Sequence, residues 1–135
     1  MVNPTANSVS VDQPVKAGQW STASVKFKTS VDADIRLRLS ASWTKADDMW
    51  VLIDNVKTDG IQVENADFEK AGGNAPAGWK FLEAGGKKAV HLQDAALAES
   101  GTGCIKVSHG CPAIQTVHVP KDTEVTITFS FRSVP

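Results

Sequence analysis

Apolar and polar residues alternate with period two along much of the chain. Val25, Phe27 and Thr29 alternate with Lys26 and Lys28; Ile35, Leu37, Leu39 and Ala41 alternate with Arg36, Arg38, Ser40 and Ser42. Near the end, Val125, Ile127, Phe129 and Phe131 alternate with Thr126, Thr128, Ser130 and Arg132. Alternate side chains of a strand point to opposite faces, so each segment predicts a strand with one face for a core and one for water. Shorter runs at residues 8–11, 50–57, 61–68, 79–82, 89–93, 104–108 and 114–119 bring the expectation to about ten strands.

Turn-forming residues separate these runs. They are Asp32-Ala33-Asp34, Thr58-Asp59-Gly60, Gly72-Gly73-Asn74, Gly85-Gly86 and His109-Gly110. Residues 94–101 read as a single helical turn, with Asp94 as N-cap and Gly101 as stop. Composition agrees with strands. Val (15), Thr (10) and Ile (6) far outnumber Leu (6), and β-branched side chains suit pleated surfaces. The expected fold class is all-β: an antiparallel β-sandwich or jelly roll, as one module over residues 1–135.

Fourteen basic against fifteen acidic residues give a net charge of -1, which argues against a nucleic-acid partner. No apolar run approaches the roughly 20 residues of a membrane-spanning helix. Nucleophile elbow, phosphate loop, HExxH and paired-cysteine zinc motifs are all missing from the sequence, and His91, His109 and His118 are scattered. The chain is therefore not expected to be an enzyme. Cys104 and Cys111 are close enough in sequence for a strand and turn to bring them into register, so a disulfide is expected in an oxidising compartment.

Asp54 interrupts the apolar run Val51-Leu52-Ile53, which Val56 continues. A carboxylate there is costly to bury alone. A hard cation, a lysine partner or capped backbone amides would each compensate it. Among the four tryptophans, Trp43 and Trp50 flank a polar loop and are candidates for stacking on a sugar ring. Gln115, His118, Arg36 and Arg38 lie on strands, where one sheet surface would let them hydrogen-bond hydroxyls.

Several segments carry a family resemblance. Glu64-Asn65-Ala66-Asp67-Phe68-Glu69, followed by Ala75-Pro76-Ala77-Gly78-Trp79, resembles the opening of jelly-roll carbohydrate-binding modules of families four, nine, sixteen and twenty-two, a galactose-binding-like group. Residues 100–107, 115–120 and 125–132 resemble the strands that follow in those modules. Residues 20–27, 35–39 and Ile53-Asp54-Asn55-Val56 resemble the strands that close them. The closing half comes first here, so the order is that of a circular permutant, natural or engineered, with termini close together. The resemblance implies a secreted, non-catalytic module that binds a poly- or oligosaccharide at the cell surface or outside it, as an accessory part of a larger protein. It implies a structural calcium held by Asp54 and Glu69, with Asp67 a further ligand, and packed positions for Trp20 and Trp79. Gly110-Cys111-Pro112 stands where ligand-contacting aromatics are expected. A structural or protein-interaction sandwich without sugar binding, including an engineered scaffold, is the alternative. A monomer or a strand-exchanged dimer is expected, because new termini between strands free an edge.

Overall fold

The computed structural model describes residues 18–41 and 49–134. Ten strands form: β1 (Ser21–Lys28), β2 (Ala33–Leu39), β3 (Val51–Asp59), β4 (Lys80–Phe81), β5 (Glu83–Ala84), β6 (Lys87–Lys88), β7 (Val90–Gln93), β8 (Gly103–Val107), β9 (Ala113–Val119) and β10 (Glu124–Ser133). All pairings are antiparallel. The first sheet has the order β1-β10-β3-β8-β7, the second β2-β9-β4, and β5 with β6 makes a small hairpin. No helix among the described residues is long and apolar enough to cross a membrane.

The period-two pattern explains the packing. Ala23, Phe27, Ile53, Ile105, Val107, Val125, Ile127 and Phe131 from the first sheet join Leu39, Ala113 and Val119 from the second in one buried cluster. The two inner faces thus close on each other as a sandwich. Ser21 lies directly opposite Phe131, so the start of β1 and the end of β10 are side by side. Met1 and Pro135 lie outside the described residues, as do the expected strand at 8–11 and Trp43.

The alternation breaks once on β3, and the break is structural. Asp54 pairs with Ser130 and Lys57 with Thr128, so Asn55 and Val56 together oppose Phe129 alone. This is a β-bulge, and Asn55 takes the left-handed conformation at φ 50° that lets the extra residue fit. Val56 is thereby returned to the core while Asp54 points with Leu52 to the outward face.

The segment at 61–68, expected as a strand, is irregular. Residues 64–67 form a turn, and Asn65 (φ 51°) and Phe68 (φ 59°) both adopt left-handed backbone that no regular strand allows. Asn65 then organises the following loop: its Nδ2 donates to the carbonyls of Lys70 (2.8 Å) and Ala77 (3.0 Å), and its Oδ1 accepts from Lys70 N. Trp79 Nε1 donates to Asn65 O at 3.1 Å, and the Trp79 ring packs 5.2 Å from that of the fully buried Phe68. Trp79 is core, as expected. Residues 94–98 make the single turn expected there, with Asp94 O accepting from Leu97 and Ala98 and Asp94 Oδ1 capping Ala96 N.

Cys104 and Cys111 are both buried and unbridged, contrary to the expected disulfide. Cys104 lies near the start of β8, whereas Ser108 N donates to Cys111 O beyond the strand's far end. The four residues of extended chain from 104 to 108 span roughly 13 Å, well past the roughly 7 Å limit between bridged Cα atoms. Cys111 Sγ instead donates to Lys87 O.

Ile105, fully buried between Ile53 and His91 in the ladder, tests the packing. Ile105→Ala is expected to cost about 2–5 kcal/mol in chemical denaturation. Val31→Ala, at a 62% exposed position, is expected to stay within about 0.5 kcal/mol. Equal effects at the two positions would contradict this core.

Candidate functional site

Two carboxylates hold the loop between β7 and β8. Asp54 has no solvent-exposed surface. Its Oδ1 accepts from Asn55 N (2.7 Å), and its Oδ2 accepts from Glu99 N (3.0 Å) and Ser100 N (3.3 Å). Glu69 takes the next part of the same loop: Oε1 accepts from Thr102 N at 2.9 Å, and Oε2 from Gly103 N at 2.6 Å. Asn55 reinforces the contact, donating from Nδ2 to Glu99 Oε1 at 2.8 Å and accepting from Ser100 Oγ at 3.0 Å. The bulge at Asn55 is what aims this strand's polar groups at the loop.

Glycine is required where the loop meets these groups. A Cβ on Gly103 would collide with the Phe68 carbonyl, and one on Gly101, whose φ is 61°, with the Glu69 carboxylate. His91 Nε2 lies 2.7 Å from the same Phe68 carbonyl. The chain at 68–69 therefore passes directly against the start of β8.

Burial pushes the Asp54 carboxyl up to about 6, against the backbone donors that favour its charge, and the nearby Glu69 charge adds to the rise. Glu69 goes the other way: the Thr102 and Gly103 amides hold it below its ordinary value. The two expected ligands are thus close enough to feel each other. Asp67 is exposed, and its Oδ1 accepts from Glu69 N at 3.3 Å in a local turn. No group of three or more His, Cys, Asp or Glu side chains suited to a metal is found among the described residues. The backbone amides take one lone-pair direction or more on each carboxylate oxygen. A carboxylate offers about four such sites, so Asp54 and Glu69 keep acceptor capacity a cation would use. Cys104 is nearby, its thiol pushed up to about 12 by burial and then by Asp54, Asp94 and Glu69, which leaves it unreactive at neutral pH.

Among the described residues, the expected sugar-contacting side chains are not brought together on one face. Trp50 is half-buried on the outward side of the first sheet, with Lys106 Nζ 5.3 Å from its ring centroid. Trp20, expected in the core, is also half-buried on that side, because Ser21 turns inward against Phe131; Arg132 lies 5.8 Å from its ring. Arg132, Leu52, Lys106 and Val90 follow one another across the ladder on this face. The sequence reading missed Trp20 here, and the alternation Trp20, Thr22, Ser24 was the available signal.

Arg36, Arg38 and His118 are exposed on the outward side of the second sheet. His118 Nδ1 lies 3.0 Å from Asp34 Oδ1, and Arg38 donates to His109 O at 2.6 Å. Gln115 does not share that surface. It pairs with Leu37 and turns inward, where its Oε1 accepts from Glu64 N (2.8 Å) and its Nε2 donates to Glu64 O (3.0 Å). Its role is to satisfy the irregular backbone at 64, which a strand would have satisfied through a ladder. An open cleft of about 800 Å³ beside His118 is lined by residues 58–63 and Pro120.

Opposite shifts at Asp54 and Glu69 give a signed pH dependence. Asp54 is more basic folded than unfolded, so its protonation stabilises the fold, and that stabilisation is lost as pH rises through about 6. Denaturation at pH 7 and pH 5 is expected to show stability rising on acidification, by on the order of 1 kcal/mol from this group. Asp54→Asn is expected to flatten that rise. Glu69 works against it at lower pH, its stabilisation being lost below its ordinary carboxylate value of 4.5. A wild-type stability that falls steadily from pH 7 to pH 5 would contradict the assignment.

No family model, curated protein or solved structure matches the chain.

Proposed function

We propose that the chain is a non-catalytic carbohydrate-binding module that recognises a poly- or oligosaccharide, as an accessory part of a larger secreted protein. One observation carries the reading: Trp20 and Trp50 lie on the outward face of the same sheet and each keeps part of its surface open to solvent. Flat indole rings suit the C–H faces of pyranoses, and flanking donors suit hydroxyls. The pairing of β1 with β10 brings the two ends of the described chain side by side, as a circularly permuted jelly roll requires. The module acts as a monomer or a strand-exchanged dimer.

Calcium belongs to the same proposal. Asp54 and Glu69 would hold it, and its chemistry would be structural, cancelling the repulsion between two neighbouring carboxylates. The second reading, a structural or protein-interaction sandwich without sugar binding, is favoured by Lys106 and Arg132 themselves, which lie over the ring faces a sugar would need.

A glycan array followed by tryptophan-fluorescence titration separates the two. Trp50→Ala is expected to weaken binding of the selected glycan at least tenfold, about 1.4 kcal/mol. An array without a hit, or a hit indifferent to Trp50→Ala, would overturn the sugar-binding reading.

Thermal unfolding in calcium and in chelator tests the metal. Calcium at a hundredfold its dissociation constant would add about 2.7 kcal/mol. An unchanged midpoint would remove calcium from the proposal.

A further inference from the structure

The outward face of the second sheet is cationic and carries no Trp, Tyr or Phe among its described positions. Arg36 and Arg38 on β2 and Lys80 on β4 are all exposed, and Ile114 and Thr116 lie between them on β9. No carboxylate among the described residues forms an ion pair with any of the three, and on this face Asp34 is paired with His118. Asp34 is the acid on this face, and His118 beside it offsets its charge when protonated. Arg38 is oriented by its bond to His109 O, which leaves the rest of its guanidinium outward.

The register fixes the spacing of these charges. Arg36 and Arg38 are two residues apart on one strand, about 7 Å. Arg38, Ile114 and Lys80 form one row across three strands, which puts Arg38 and Lys80 about 10 Å apart. We propose that this face binds an acidic polysaccharide, one bearing uronate carboxylates at intervals along its chain. Guanidinium groups pair with carboxylates through two parallel N–H donors, and a flat sheet surface accommodates an extended chain. Three cations about 7–12 Å apart match a sparsely charged polymer. They do not match duplex nucleic acid, whose charges recur every 1.7 Å or so and which attracts denser basic surfaces. The net charge of -1 points the same way. This site is separate from the tryptophan face and does not rest on it.

Affinity electrophoresis of the full chain, in gels holding polygalacturonate, a neutral β-glucan or a single-stranded oligonucleotide, tests the proposal. Retardation by polygalacturonate is expected, falling at least tenfold in Arg36→Ala/Lys80→Ala and on raising salt from 0.05 to 0.5 M by a similar factor. The charge-matched variant Lys26→Ala/Lys57→Ala, at exposed positions of the first sheet, is expected to bind as wild type. Thermal melts of both variants confirm that they fold. Polygalacturonate binding lost equally in both variants, or tighter retardation by the oligonucleotide, would overturn the proposal. Retardation by neutral β-glucan alone would overturn it while leaving the tryptophan-face reading intact, and retardation by neither polysaccharide would count against both.

Discussion

A carboxylate removed from water needs donors in its place, and Asp54 finds three of them on the backbone. Two of those donors belong to residues distant in sequence. Asn55 is its neighbour on β3, whereas Glu99 and Ser100 belong to the loop that closes the β7–β8 hairpin. The bond set therefore makes the central strand of the larger sheet responsible for the shape of that loop. Glu69 completes the arrangement from the other side, so one loop is gripped by carboxylates from two separate segments. The cost is a buried charge beside a second charge, which is why Asp54 holds its proton more tightly than an ordinary aspartate.

Much of this was legible in the sequence, for a definite reason. Strands with one dry face must alternate, and the long runs at β1, β2 and β10 alternate as written. Asp54 was legible as an anomaly because an acid within an apolar run has few inexpensive explanations, and capped amides were among them. The bulge itself was hidden: Asn55 marks it only through a backbone conformation that asparagine tolerates and that no spacing announces. The strand expected at 61–68 failed for the same kind of reason. Its alternation is real, but Asn65 and Phe68 turn the backbone left-handed, and Gln115 satisfies by side chain what a ladder would have satisfied.

The candidate ligand residues illustrate a second limit. Sequence places Gln115, His118, Arg36 and Arg38 on strands but does not assign faces between strands. Register does so: odd positions of β9 turn inward with Leu37, even ones outward with Arg36 and Arg38. Arg36, Arg38 and His118 consequently lie on the outer surface opposite the one that carries Trp20 and Trp50, and Gln115 lies on neither. A surface rich in indole and a surface rich in guanidinium differ in what they can recognise, the first through stacking and the second through charge.

The central claim is that Asp54 and Glu69 hold the 94–103 segment to the sandwich. Native-state hydrogen exchange at the amides of Glu99, Ser100, Thr102 and Gly103 tests it most directly, in wild type and in Asp54→Asn. The account predicts wild-type protection at these four amides near that of the core strands, with a selective loss at Glu99 and Ser100 in the variant. Rapid exchange at all four in the wild type, or protection untouched by the substitution, would contradict it.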